Sequence, residues 1–249
     1  ARSLIGQKMA DYTPTTYILQ FKPEDDDRPD KRETDVFMVV LSPPDRHGFC
    51  SFGHSMTNKR GFAKRANKVL AQVDEGQIRT YGNNFIHVSE IDCFTEHPSP
   101  PRPEEPPVPK DDEVINAIVG YVSSLIRDGD TIEIGIGGVI TPLVRLGVFN
   151  NKHDLGIHSG VFIPGMVDLV RDGVFTGKYK NLHPGKAVTS SCPALGWQEI
   201  SYMNNNPLFE IYDIEYVHDI RNVSAHDNFV AINTALYVDL LGQVTSESW

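Results

Sequence analysis

The sequence TIEIGIGG at residues 131–138 joins a short apolar strand to a glycine-rich turn. Thr141 and Pro142 follow, and this pair predicts a helix with Thr141 as its N-cap and Pro142 at its first position. Upstream, apolar residues recur at helical spacing over 114–126, after the candidate N-cap Asp112 and before a stop at Gly129. Helix, strand, turn and helix in series indicate an α/β protein with largely parallel sheets.

A second strand and turn stand near the start of the chain. Residues 36–41 are continuously apolar, which predicts a buried strand, and a turn over residues 42–48 follows at its carboxyl end. Residues 235–241, followed by Gly242, repeat the same arrangement. This weak similarity between the two segments favours two related lobes of similar topology.

Residues 98–109 hold seven prolines, a composition that cannot continue a helix or a central strand. We interpret residues 98–110 as an extended strap between two units. The sequence therefore predicts a first unit over residues 1–97 and a second over residues 111–249.

The composition restricts the class of protein. The chain has 249 residues and a net charge of −10, which disfavours non-specific binding to nucleic acid. Its sequence contains no apolar run long enough to cross a bilayer, so no membrane association is expected. Three scattered cysteines without metal-ligand spacing favour reduced thiols in the cytoplasm or the mitochondrial matrix.

The glycine turn is the strongest local signal for a ligand. Amides of Gly135, Gly137 and Gly138 at a strand-to-helix turn could bind a phosphate or a developing oxyanion. The spacing matches neither a dinucleotide-binding fingerprint nor a P-loop. The alternative is a tight turn that needs only the backbone freedom of glycine.

The turn at residues 42–48 is a second candidate. Asp45 and His47 could form an acid/base pair at the end of a parallel strand, or they could simply form the turn. Cys50 beside His47 could be a nucleophile, but no third orienting group is evident. His153 and His158 are five residues apart and are not spaced to share a metal ion, so no metal site is predicted.

Taken in order, several segments resemble the acetyl-CoA hydrolase/transferase family, which includes 4-hydroxybutyrate, butyrate–acetate and succinate–acetate CoA-transferases. The resemblance covers nearly the whole chain. It rests on the strap and on ADYTP at 10–14, SPPDRHGFCSFG at 42–53, FIHVSEID at 85–92, GDTIEIGIGG at 129–138, DLGIHSGVF at 154–162, HPGK at 183–186 and HDNFVAINTALYVDLLGQV at 226–244.

The resemblance implies two α/β lobes, each incomplete in this chain, with an active site between them. It implies a reaction in which a glutamate carboxylate attacks an acyl-CoA thioester, forms a glutamyl-CoA thioester and passes coenzyme A to a small carboxylic acid. Coenzyme A is then a substrate, and no permanently bound cofactor is expected. The candidate residues for binding substrate or coenzyme A are Pro43, Asp45, His47, Gly48, Gly135, Gly137, Gly138, His158, Asn228 and Gln243.

The sequence departs from the family in two places. Similar proteins usually have a Thr-Glu pair after the position of His158, where this chain has Ser159 and Gly160. The family's Gly-Gly-Gln turn and the Glu-Tyr-Gly segment expected to carry the nucleophile would follow Gln243, and they are not found in this chain. The nucleophile is therefore expected outside residues 1–249, and no catalytic residue is assigned.

Two rival functions remain open. An acyl-CoA hydrolase would use the same scaffold with water as the acceptor, and a non-catalytic CoA-binding or structural subunit would need no nucleophile. Residues 1–249 alone are expected to show no turnover. Incomplete sheets would expose apolar surface, which predicts a homo-oligomer or a complementary chain as partner.

Overall fold

The computed structural model describes residues 2–10, 16, 18, 20–21, 34–99 and 112–246. Residues 100–110 of the predicted strap lie outside this set. Within the described residues, no helix is both long enough and apolar enough to span a membrane.

The first half of the chain forms a small parallel sheet. Helix α1 (Arg2–Gly6) comes first, and strand β1 (Thr34–Leu41) pairs with β3 (Ala66–Val73), which in turn pairs with β5 (Cys93–Glu96). Helix α2 (Lys59–Arg65) packs on β1 and β3. Strands β2 (Phe49–Ser51) and β4 (Phe85–His87) form a separate antiparallel pair, and a 3-10 turn covers Val88–Glu90.

The prediction of a buried strand over residues 36–41 is correct in position and only half correct in burial. Val39 and Leu41 face the core, whereas Val36 is 50% exposed and Met38 is 77% exposed. The reason is that α2 covers one face of the sheet. Alternate residues of β1 point to the other face, which the described residues leave open.

The second half forms a five-stranded parallel sheet in the order β10-β6-β7-β8-β9. Its strands are β6 (Thr131–Ile134), β7 (Gly156–Val161), β8 (Ala187–Ser191), β9 (Phe209–Ile211) and β10 (Phe229–Ile232). Together with the first sheet, this confirms the predicted α/β class with largely parallel sheets.

Helices flank the larger sheet. They are α3 (Glu113–Leu125), α4 (Ile140–Arg145), α5 (Met166–Arg171), α6 (Trp197–Met203), α7 (Ile214–Val217) and α8 (Ile220–Ser224). Helix α3 begins at the predicted N-cap, where the Asp112 carboxylate accepts bonds from the amides of Val114 and Ile115. Its apolar stripe, which includes Ile115, Ile118, Val119 and Val122, packs against the core.

Two sequence predictions are wrong in detail. Helix α4 begins two residues earlier than expected, with Val139 as its N-cap and Pro142 at its third position. The Thr141 hydroxyl instead accepts a bond from the Gly137 amide at 3.2 Å, which closes the glycine turn. Residues 235–241 do not form a buried strand, because they belong to an exposed hairpin of β11 (Tyr237–Val238) and β12 (Val244–Thr245).

The two sheets meet across a loop at residues 52–57, which crosses the carboxyl end of β8. The amides of Met56 and Thr57 both donate to the Ser190 carbonyl, at 2.8 and 3.2 Å, and the Ser55 hydroxyl lies 2.7 Å from that of Ser191. At the sheet edge, the Ile211 amide donates to the Tyr81 carbonyl at 2.8 Å. These contacts attach the smaller sheet to the carboxyl end and edge of the larger one.

Candidate functional site

The glycine turn lies at the carboxyl edge of the larger sheet, directly after β6. The Gly135 amide donates to the Ile232 carbonyl at 3.0 Å, which ties the turn to β10. A Cβ at this position would lie 2.5 Å from Asn233 Oδ1, so only glycine allows that approach. Among bonds between described residues, none is donated by the amides of Ile136 or Gly138, and both residues are exposed. The turn therefore presents two available donors to a ligand.

Glu133 precedes this turn on β6. Its Oε2 accepts a bond from Asn233 Nδ2 at 2.9 Å, and its Oε1 lies 4.0 Å from His218 Nε2. Its side chain is 13% exposed, and burial raises the pKa of the carboxyl above its usual value, while the bond from Asn233 opposes this rise. Burial also lowers the pKa of His218, which favours a neutral imidazole beside the carboxyl group.

Gly160 creates the space that His218 occupies. Ile132 pairs with Ile157 across β6 and β7, so alternation puts Glu133 on the same face of the sheet as His158 and Gly160. A Cβ at residue 160 would lie 2.7 Å from two atoms of the His218 ring. Ser159 points to the opposite face, where its hydroxyl donates to the Ile134 carbonyl at 3.0 Å. The Ser-Gly departure thus places a structural hydroxyl on one face and leaves room for the His218 ring on the other.

His158 is fully buried behind this cluster. Its Nε2 donates to the Val217 carbonyl at 2.7 Å, and its ring lies 5.1 Å from that of His226. Burial, with a contribution from the nearby Lys180 amine, lowers the pKa of His158 to about 3. The geometry favours a structural role for this residue over contact with a substrate.

The turn at residues 42–48 is held by Asp45 and Arg79. The Asp45 carboxylate accepts bonds from the amides of His47 and Phe49 at 2.9 and 3.0 Å, and Arg79 Nη2 donates to it at 3.0 Å. The two amide bonds and the Arg79 charge lower the pKa of Asp45. The Pro43 carbonyl accepts a bond from Arg79, and the Gly48 carbonyl accepts one from Val88. This geometry favours the turn-forming alternative over an acid/base pair.

The predicted site residues do not all come together. Within the described part of the chain, no hydrogen bond or ion pair joins the turn at 42–48 to that at 135–138. Asn228 lies at the amino end of β10, at the opposite edge of the sheet from Gly135. Gln243 lies in the exposed hairpin, where its side chain and amide both donate to Asp239. A cleft shared by the two turns remains a prediction.

Cysteine and metal chemistry find little support in this arrangement. Cys50 is completely buried, and desolvation raises the pKa of its thiol, which opposes formation of the reactive thiolate. Among the described residues, no group of three or more His, Cys, Asp or Glu side chains is placed to hold a metal ion.

Comparison with models of known protein families identifies the family of this chain. Residues 2–104 match the model of the acetyl-CoA hydrolase/transferase N-terminal domain, and residues 198–249 match the model of its C-terminal domain. The chain belongs to the acetyl-CoA hydrolase/transferase family. Among members of this family, 4-hydroxybutyrate coenzyme A transferase of Clostridium kluyveri is 38% identical over 99% of this chain and 56% of its own length.

Two further members show the same relationship. Succinyl-CoA:cyclohexane-1-carboxylate CoA transferase of Geobacter metallireducens is 38% identical over 86% of this chain and 48% of its own. The crystal structure of 4-hydroxybutyrate CoA-transferase from Porphyromonas gingivalis superposes with a TM-score of 0.80 at 32% identity, over 98% of this chain and 61% of that one. The chain spans about half the length of the curated relatives it matches.

Sequence reasoning missed Glu133, His218 and Asn233. Glu133 lies within the quoted motif, but a single glutamate between two isoleucines is typical of a polar face of a strand. Asn233 and His218 are 100 and 85 residues away in sequence, and only the order of strands brings them together.

Proposed function

We propose that the whole protein transfers coenzyme A between an acyl-CoA and a small carboxylic acid. The observation that carries this proposal is the match to relatives that are named as CoA transferases and are 38% identical over 86 to 99% of this chain. The family name also includes hydrolases, but these relatives favour the transferase reaction.

The carboxyl edge of the larger sheet supports the proposal chemically. The available amides of Ile136 and Gly138 are suited to a thioester carbonyl that becomes an oxyanion, or to a phosphate of coenzyme A. Glu133 lies on β6, the strand that leads into this turn, and its side chain is 13% exposed. Donors and a carboxylate at one edge are what acyl transfer through an anhydride requires.

The proposed site consists of the turn at Gly135, Gly137 and Gly138, with the turn at residues 42–48 as a second wall. We further propose that residues 1–97 and 111–249 are parts of two lobes on either side of the strap. A second copy of the chain or a complementary chain would cover the open face of the smaller sheet.

The proposal is tested by incubating the purified whole protein with acetyl-CoA or butyryl-CoA and a panel of small acids, then identifying the CoA esters by mass spectrometry. We expect new CoA esters only when an acceptor acid is present. Thioester loss at the same rate without any acid would instead indicate a hydrolase. An absence of both reactions would favour a non-catalytic subunit.

A further inference from the structure

The amine of Lys59 differs from those of the other lysines that the structure describes as buried or partly buried. Lys152, Lys180 and Lys186 each donate from Nζ to a backbone carbonyl, at distances between 2.7 and 2.9 Å. Lys59 is also partly buried, but within the described part of the chain no hydrogen bond or ion pair engages its Nζ. Because water is partly removed and no partner replaces it, burial lowers the pKa of Lys59 to about 8.

Lys59 stands at the junction of the two sheets, next to the carboxyl end of a central strand. Its backbone amide donates to the Met56 carbonyl at 2.9 Å, and the Met56 amide donates to the Ser190 carbonyl on β8 at 2.8 Å. The register of β6, β7 and β8 puts Gly135 level with Ser190, two strands apart and therefore about 10 Å away. Lys59 is thus attached to the same sheet edge as the glycine turn.

We propose that Lys59 is a site of self-acylation, at which the side-chain amine takes the acyl group of an acyl-CoA and keeps it as an amide. The inference rests on the proposed function for the acyl-CoA that reaches this edge. It assigns no part in CoA transfer to Lys59. The product is a neutral acyl-lysine in place of a cation at the junction of the sheets.

The environment of Lys59 favours the form of the amine that can react. Only the unprotonated nitrogen has a lone pair to offer, and a desolvated lysine holds more of that form. With a pKa of about 8, about half of the Lys59 amines are neutral at pH 8, against about 0.3% of lysines that keep the ordinary value of 10.5. A less basic group is also a weaker nucleophile, as thiols show, which offsets part of this gain. A net advantage of about tenfold over an ordinary lysine is expected.

The proposed reaction balances with the amine and the thioester alone. The neutral Nζ of Lys59 bonds to the thioester carbonyl carbon, the C–S bond breaks, and the electron pair leaves with the sulfur of coenzyme A. The proton that the nitrogen loses is taken up by the departing thiolate. The products are an amide on Lys59 and the free thiol of coenzyme A, and no oxidant, reductant or further reactant is consumed.

The experiment follows the acetylation of the whole protein by acetyl-CoA at pH 8 without an acceptor acid. Samples taken over time are digested with a protease that does not cleave at lysine, and the acetylated peptides are measured by mass spectrometry. Lys64 is the matched control, because it lies on the same helix and is exposed. The variants Lys59→Arg and Lys64→Arg each keep the positive charge and remove an amine that can be acylated.

We expect Lys59 to gain an acetyl group at least about fivefold faster than Lys64. Lys59→Arg should remove the fast phase of acetylation, whereas Lys64→Arg should keep it. In guanidinium chloride the two lysines should react at rates within about twofold of each other, because unfolding returns Lys59 to water. The comparison of Lys59 with Lys64 in the parent protein needs no variant, so it holds even if Lys59→Arg fails to fold.

Acetylation of Lys59 no faster than that of Lys64 would overturn the inference. A rate difference that persists in guanidinium chloride, or a fast phase that persists in a folded Lys59→Arg variant, would do the same. Transfer of coenzyme A to an added acid is measured on the same samples. Transfer without fast acetylation of Lys59 would leave the proposed function intact and contradict this inference, and fast acetylation without transfer would do the reverse. The absence of both would contradict both.

Discussion

His158 makes the folded chain sensitive to acid, because burial holds its imidazole neutral. The pKa of His158 is lowered to about 3 and that of His226 to about 4, while both would titrate near 6.5 in an unfolded chain. As the pH falls below 6.5, the unfolded chain therefore binds protons first. We expect the free energy of unfolding to fall by at most about 1.4 kcal/mol per pH unit for each histidine.

The measurement is urea denaturation at pH 7.5, 6.0 and 5.0. The groups that face His158 are Lys180, His183, His226 and the Val217 carbonyl. His158→Gln keeps a donor for that carbonyl and should reduce the slope below pH 6.5. His97→Gln, at an exposed histidine, should leave the slope unchanged, and an unchanged slope in both variants would contradict the assignment to His158.

Gly160 is a second residue whose side chain decides the local geometry. Gly160→Ala would place a methyl group 2.7 Å from the His218 ring, and we expect it to cost about 1–3 kcal/mol and to displace His218 from Glu133. Gly120→Ala, in α3 with no atom near its added Cβ, should instead stabilise the protein by about 1 kcal/mol. Thermal unfolding of the two variants distinguishes these opposite signs.

At the scale of elements, α3 shows how local chemistry fixes a boundary. Asp112→Ala removes the carboxylate that accepts from the amides of Val114 and Ile115, and it should lower stability by about 1 kcal/mol. Asp112→Ser keeps a side-chain acceptor for these amides, so it should lose only a small part of that stability. Chemical denaturation of both variants measures the difference, and no loss of stability in Asp112→Ala would show that the cap contributes nothing.

Sequence patterns predicted elements where the signal is local. Helical spacing after Asp112 and the strand before Gly135 were sufficient for α3 and β6. Burial of residues 36–41 was predicted incorrectly, because an apolar run does not reveal whether both faces of a sheet are covered. The Glu133 cluster could not be predicted, since Asn233 directly follows β10 and His218 directly follows α7, and their proximity to Glu133 depends on sheet order.

At the scale of the whole molecule, one face of the smaller sheet is not covered by any helix or strand that the structure describes. Met38, Leu70 and Cys93 lie side by side across β1, β3 and β5, on a groove of about 360 Å³. Met38 is 77% exposed and Cys93 is exposed, whereas Cys50 and Cys192 are buried. An apolar row of this kind is typical of a surface that another segment or chain covers.

Alkylation tests this expectation. In a polypeptide of residues 1–249, N-ethylmaleimide should modify Cys93 and spare Cys50 and Cys192. In the whole protein, Cys93 should react at least about tenfold more slowly if a partner surface covers the groove. The variant Met38→Glu should restore labelling by weakening that contact, while fast labelling of Cys93 in the whole protein would show that the face stays open.

The loop at residues 52–57 has a consequence for how the two sheets unfold. Its Met56 and Thr57 amides share the Ser190 carbonyl at the end of a central strand, so they exchange with deuterium only when that junction opens. If the sheets separate before either one melts, these two amides will exchange faster than those of β8. Equal protection would mean that the molecule unfolds as one cooperative unit. A destabilising change in either sheet would then lower the stability of both.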